Sequence, residues 1–111
     1  MRTALFVVAT MLAAYSLASP ASAASFNCRE PGNRAETTVC RHPGLSAMDE
    51  RMAYWYGRAQ ERARHFGQSE WLRNRQRDWI ADRNICGFNV GCLRQSYRER
   101  TRALRNFARH V

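Results

Sequence analysis

The sequence predicts an all-α fold: a small disulfide-stapled helical bundle with three main helices and a short N-terminal one. Three observations lead there. Apolar residues recur at helical spacing through three long segments, and no stretch of any length alternates as a strand would. Four cysteines, Cys28, Cys40, Cys86 and Cys92, suit covalent staples. The chain has 111 residues, enough for one small domain whose modest core gains from such staples.

The first residues read as a leader. Met1 and Arg2 open positively, Leu5 to Ala18 is nearly all apolar, and Ala21-Ser22-Ala23 is a small-residue triplet. That order predicts a secretory signal peptide over residues 1–23, removed after Ala23. The apolar run is shorter than the roughly 20 residues a membrane span needs. Residues 24–111 are therefore expected to be an exported domain, secreted or periplasmic, with no membrane span. In an oxidising compartment an even number of cysteines indicates disulfides. Four cysteines allow three pairings, and sequence alone does not choose among them. The local pairs Cys28–Cys40 and Cys86–Cys92 are favoured because each closes a short loop at a helix end, worth about 2–3 kcal/mol each. Zinc competes poorly: the spacings C-x11-C and C-x5-C contain no close pair, and His42, His65 and His110 add no ligand spacing. No metal or cofactor is expected.

The elements follow in order. Asn33 can cap a short helix through NRAETTVCR, Glu36 stands at the capping-box position, and Pro43-Gly44 is expected to stop it. From Leu45 to Phe66 the residues Leu45, Met48, Met52, Trp55, Tyr56, Ala59, Ala63 and Phe66 form one helical face. Asp49 and a series of charged residues fill the remainder. Gly67 is expected to end this helix and Ser69 to cap the next. Glu70 to Ile85 is the third helix, with Leu72, Gln76, Trp79, Ile80 and Arg83 inward. Gly87 ends it and Asn89 can cap the fourth. The fourth helix runs through Leu93, Tyr97, Leu104, Phe107 and Val111, with Arg100 and Thr101 filling the gap in the stripe.

Charge is the other distinctive feature. The chain carries 18 basic residues, all arginine, against 9 acidic ones, for a net charge of +9. Loss of Arg2 with the leader leaves the domain at +8. Such a charge attracts polyanions and repels cationic proteins, and guanidinium binds phosphate and carboxylate bidentately.

Several strings, taken in order, carry a resemblance. They are F-x-C (Phe26, Cys28), E-x-x-x-C (Glu36, Cys40) and L-x-x-M-D (Leu45, Met48, Asp49), with Tyr56 a helical turn after Met52. Then come L-x-x-x-Q-R-x-W-I-x-x-R-x-x-C (Leu72 to Cys86) and C-L-x-x-x-Y-x-x-R-x-x-x-L (Cys92 to Leu104). Over almost all of the chain after the leader, the sequence resembles the LprI family of small exported bacterial proteins. The family is named for a mycobacterial lipoprotein that inhibits lysozyme. The resemblance implies export, a helical domain and a lysozyme inhibitor of the LprI type. The chain departs from that namesake in lacking a lipidation cysteine.

Two kinds of residue stand out as candidates. Gln76, Arg83 and Arg100 fall on inner faces, where charge needs a partner. A structural network joining them to Asp49 or Glu36 is expected. Trp55, Trp71 and Tyr54 exceed what one core stripe needs. With Arg75 and Arg77, the two tryptophans are candidate binding residues. The arginines Arg58, Arg62, Arg64, Arg73, Arg98, Arg102, Arg105 and Arg109 are expected on outer faces. No histidine stands with a carboxylate and a nucleophile at a recognisable spacing, so a binding domain without catalysis is expected. Two partners compete: lysozyme, whose cleft holds two catalytic carboxylates, and envelope polyanions such as cell-wall or outer-membrane phosphates and acidic glycans. An exported domain is not expected to meet nucleic acid.

Overall fold

A computed structural model describes residues 25–110. The expected signal peptide and Val111 lie outside them. Within this range the fold is all-helical, with α1 (Arg34–Arg41), α2 (Pro43–His65), α3 (Ser69–Ile85) and α4 (Val90–Arg109). No helix among the described residues is long and apolar enough to cross a membrane.

Local chemistry sets each boundary. Asn33 caps α1, its side chain accepting the Glu36 N–H at 2.9 Å. The Glu36 carboxylate reaches back, but to the N–H of Gly32 at 2.5 Å rather than to that of the cap residue itself. Pro43 does not merely stop α1; it opens α2 at its first turn. A helix start tolerates proline because the missing N–H would have no intrahelical acceptor there. At the far end of α2, Gly67 adopts φ +66° and the Gln68 N–H returns to the Ala63 carbonyl at 2.8 Å. Only a residue without a Cβ takes that left-handed turn at little cost. Ser69 is the first residue of α3 and not its cap; Gln68 holds the cap position without a side-chain bond. Gly87, at φ +55°, ends α3 in the same way. Asn89 then caps α4 by accepting the Cys92 N–H at 3.0 Å.

Side-chain contacts give the helix directions. Gln76 of α3 meets Met52 of α2 across the Gly67 turn. Along α4, Tyr97 meets Trp79, Arg100 meets Gln76 and Phe107 meets Trp71, so α3 and α4 are antiparallel. Tyr97 also meets Asp49, and Phe107 meets Arg62, so α4 runs parallel to α2, its principal packing partner. The short α1 touches all three long helices. The core is built from Ala35 and Val39 of α1, Leu45, Met52, Ala59 and Ala63 of α2, Leu72 of α3, and Leu93, Tyr97 and Leu104 of α4. Each fully buried leucine contributes about 1.5–3 kcal/mol relative to exposure. Two expected core residues lie at its margin: Ile80 is 36% exposed and Phe66 58%. Each stands at the edge of its apolar stripe, where the neighbouring helix no longer covers it.

Both favoured disulfides are formed, Cys28–Cys40 and Cys86–Cys92. The first ties the turns and bends of the N-terminal segment to the end of α1. The second closes the α3–α4 corner around Gly87, Phe88 and Asn89. Thr38 fastens α1 to that corner, its hydroxyl lying 2.8 Å from the Arg34 carbonyl and 3.2 Å from the Gly87 carbonyl. Replacing both Cys86 and Cys92 by serine is expected to lower the unfolding free energy by about 2–3 kcal/mol. Urea denaturation of the oxidised proteins would measure it.

Candidate functional site

Polar side chains first gather inside the bundle. Asp49 of α2, placed by periodicity on the outer face, is fully buried. Its Oδ1 accepts the Tyr97 hydroxyl at 2.8 Å, and its Oδ2 accepts the Ser25 backbone N–H. Arg83 of α3 is buried as well. Its Nη1 donates to the Tyr97 hydroxyl at 3.4 Å, and its Nη2 lies 3.7 Å from Glu36 of α1. The guanidinium also bonds the Asn84 side chain at 2.9 Å and lies over the rings of Phe26 and Trp79. Buried Arg83, Tyr97 and Asp49 and the partly buried Glu36 thus form one chain with a member from each helix. Burial raises the Tyr97 pKa above the ordinary tyrosine range; the Asp49 carboxylate adds to this and Arg83 opposes it. The hydroxyl therefore keeps the proton that it donates to Asp49.

The other two residues expected in this network form a separate pair. Arg100 donates from Nε to the Gln76 Oε1 at 2.8 Å, and the Gln76 amide reaches the Met52 sulfur at 3.3 Å. Arg100 joins neither Asp49 nor Glu36, because it lies three residues along α4 from Tyr97 and meets an earlier turn of α3. Burial lowers its pKa; Tyr56 opposes this and Arg75 reinforces it. Periodicity assigned Tyr97 to the core stripe and missed its role as the bridge. The signal was available in a buried tyrosine, whose hydroxyl requires a partner.

The four candidate binding residues do not converge. Trp71, 47% exposed, packs against Phe107 and carries Arg75 over its ring at 5.8 Å. Arg77 is two residues further along α3, which turns it to another side of the helix. Trp55 is half-buried on α2, under the Arg109 guanidinium at 4.9 Å.

A surface site lies elsewhere, along the groove between parallel α2 and α4. Met48, Arg51, Arg98, Thr101, Arg102 and Arg105 line a cleft that contains four arginines and no carboxylate. Helical spacing extends the cluster. Arg94, Arg98, Arg102, Arg105 and Arg109 follow one another by four, four, three and four residues, one stripe of α4. Arg109 covers Trp55 further along the same groove, and Arg62 lies over Phe66 and Phe107 beyond it. The one carboxylate paired in this region is Glu61, an exposed partner of Arg58 worth little.

The stripe has a cost. Like charges four residues apart destabilise a helix by about 0.2–0.5 kcal/mol per pair. Helix α4 has six arginines and a single acid, Glu99, whereas α3 sets Glu70, Asp78 and Asp82 against four arginines. An ordinary solvated face would mix signs as α3 does. What the groove can do chemically is hold phosphate or carboxylate groups against several guanidinium forks, with aromatic rings supporting the upper end. Compared with known protein families, curated proteins and solved structures, the chain matches none.

The buried chain yields a sharp contrast between tyrosines. Tyr97→Phe removes the donor from a buried carboxylate and is expected to cost about 1–3 kcal/mol. Tyr54→Phe, on an exposed residue, should change stability by no more than about 0.5 kcal/mol. Paired urea denaturation curves would measure both.

Proposed function

We propose that this chain is an exported binding domain, without catalysis, that holds an anionic envelope polymer in the arginine groove between α2 and α4. The observation that supports this reading is the cleft itself: four arginines, no carboxylate, and an arginine stripe that continues along α4 at a cost to helix stability. A net charge of +8 after leader loss adds long-range attraction for such a polymer. Trp55 under Arg109 lends the groove a stacking surface beside its charge.

A second reading, inhibition of lysozyme, is favoured by the strings shared with the LprI family. An arginine of the groove could then enter the enzyme's carboxylate-bearing cleft. Most host lysozymes are basic, and the charge of this domain would slow encounter with them. Coating of the wall substrate would protect it from lysozyme without any contact with the enzyme.

Turnover of a soluble, uncharged chitin oligosaccharide separates the two readings. Polymer binding predicts no inhibition there, together with protection of whole cell walls that fades as salt rises. Inhibition at near-equimolar protein would instead establish a direct contact with lysozyme. The groove itself is tested with linear polyphosphate as the probe. Arg98→Gln with Arg102→Gln should weaken binding about fivefold per residue, from about 1 kcal/mol per arginine at an anionic surface. Arg73→Gln with Arg77→Gln, on α3, should weaken it much less. Equal losses from both pairs would mean that net charge, not the groove, binds the polymer.

A further inference from the structure

Among the described residues Asp49 is the one carboxylate in the fully buried set, and none of their cations pairs with it directly. Among the described residues no guanidinium lies within ion-pair distance of it; Arg83 pairs with Glu36 and reaches Asp49 only through the Tyr97 hydroxyl. A buried charge without a paired opposite charge is costly. The remaining partner of Asp49 is the Ser25 backbone nitrogen, bonded to Oδ2. Ser25 lies just after the expected leader. Its nitrogen is therefore an amide in the unprocessed chain and becomes an amine if the bond before it is cut.

We propose that leader removal cuts the Ala24–Ser25 bond and that the α-ammonium it releases is the counter-ion of buried Asp49. The inference rests on the leader reading and is independent of the groove. In the step, a leader peptidase adds water across the peptide bond. The carbonyl carbon of Ala24 takes the hydroxyl and departs as a carboxylate with the leader. The Ser25 nitrogen takes up two protons, one from the water and one that the new carboxyl group releases, and so goes from one N–H donor to three with a positive charge. The sequence permits the cut, since Ser22 and Ala24 stand at the third and first positions before it. They meet the same small-residue requirement as Ala21 and Ala23 one bond upstream. Only the later cut leaves the new amine on the nitrogen that contacts Asp49.

The consequence is electrostatic closure. With its leader attached, the buried chain holds two carboxylates and one guanidinium. After cleavage the charges alternate: Glu36, Arg83, then through Tyr97 to Asp49 and the Ser25 ammonium. The fold reaches full stability only once the leader is gone, so export and folding are coupled at one carboxylate.

Composition makes the test clean. The sequence contains no lysine, so the α-amine is the only primary amine of the mature chain. The full chain with its leader would be exported from a bacterial host and purified oxidised. Its mass would be determined, and its amine acetylated with a succinimidyl ester, folded and in urea. The expected product begins at Ser25. Its amine should react at least about tenfold more slowly when folded, the effect of one pKa unit on the free-amine fraction. Asp49→Asn should abolish most of that protection. A product beginning at any other residue, or equal rates in both states, would overturn the proposal. If Asp49→Asn does not fold, the ratio in the unsubstituted chain decides by itself.

Discussion

A single buried guanidinium organises this bundle. Arg83 stands on α3 where the four helices meet, between the rings of Phe26 and Trp79. It joins Glu36 on α1 to Tyr97 on α4, and through Tyr97 to Asp49 on α2. A charge removed from water must be paired and hydrogen-bonded, so each helix can occupy only the position that keeps its member of the chain in reach. An apolar core of small size tolerates sliding and repacking; this chain of directed bonds does not. The two disulfides act beside it, one between the N-terminal segment and α1 and one at the α3–α4 corner, by limiting the unfolded chain.

That constraint positions the surface. Parallel α2 and α4 bring Arg51 and Met48 against the arginine stripe of α4, and the register is set by the Asp49–Tyr97 bond a single turn away. The strings that carry the resemblance to the LprI family fall mainly on the scaffold: Phe26, Glu36, Asp49, Gln76, Trp79, Arg83, Tyr97 and Arg100 are packing or bridging residues. Most of the groove arginines lie outside those strings.

Much of the frame was legible in the sequence because its signals are local. Helical periodicity located the three long helices, Asn33 marked the cap of α1 and Asn89 that of α4, Gly67 and Gly87 the stops, and short separation favoured the cysteine pairs. Legibility ended where the outcome depends on a neighbouring helix. Asp49 has the spacing of an outer-face residue, yet α4 and the N-terminal segment cover it. Ile80 has the spacing of an inner-face residue, yet it is covered only in part. Arg100 and Arg83 looked equivalent, but Arg83 belongs to α3 while Arg100, on α4, meets α3 at Gln76, about two turns earlier. The aromatic candidates Trp55 and Trp71 lie on different parts of the surface, since residue type carries no information on convergence. The arginine groove was present in the spacing of α4, though only the parallel packing of α2 turns a stripe into a cleft.

The central claim is that the four helices are held through one guanidinium. A double-mutant cycle on Glu36→Gln and Tyr97→Phe tests it most directly, because the two residues meet only through Arg83. Either substitution loosens Arg83, so the account predicts that the second costs less than the first, with a coupling of about 0.5–3 kcal/mol in urea denaturation. Losses that add to within about 0.3–0.5 kcal/mol would contradict it.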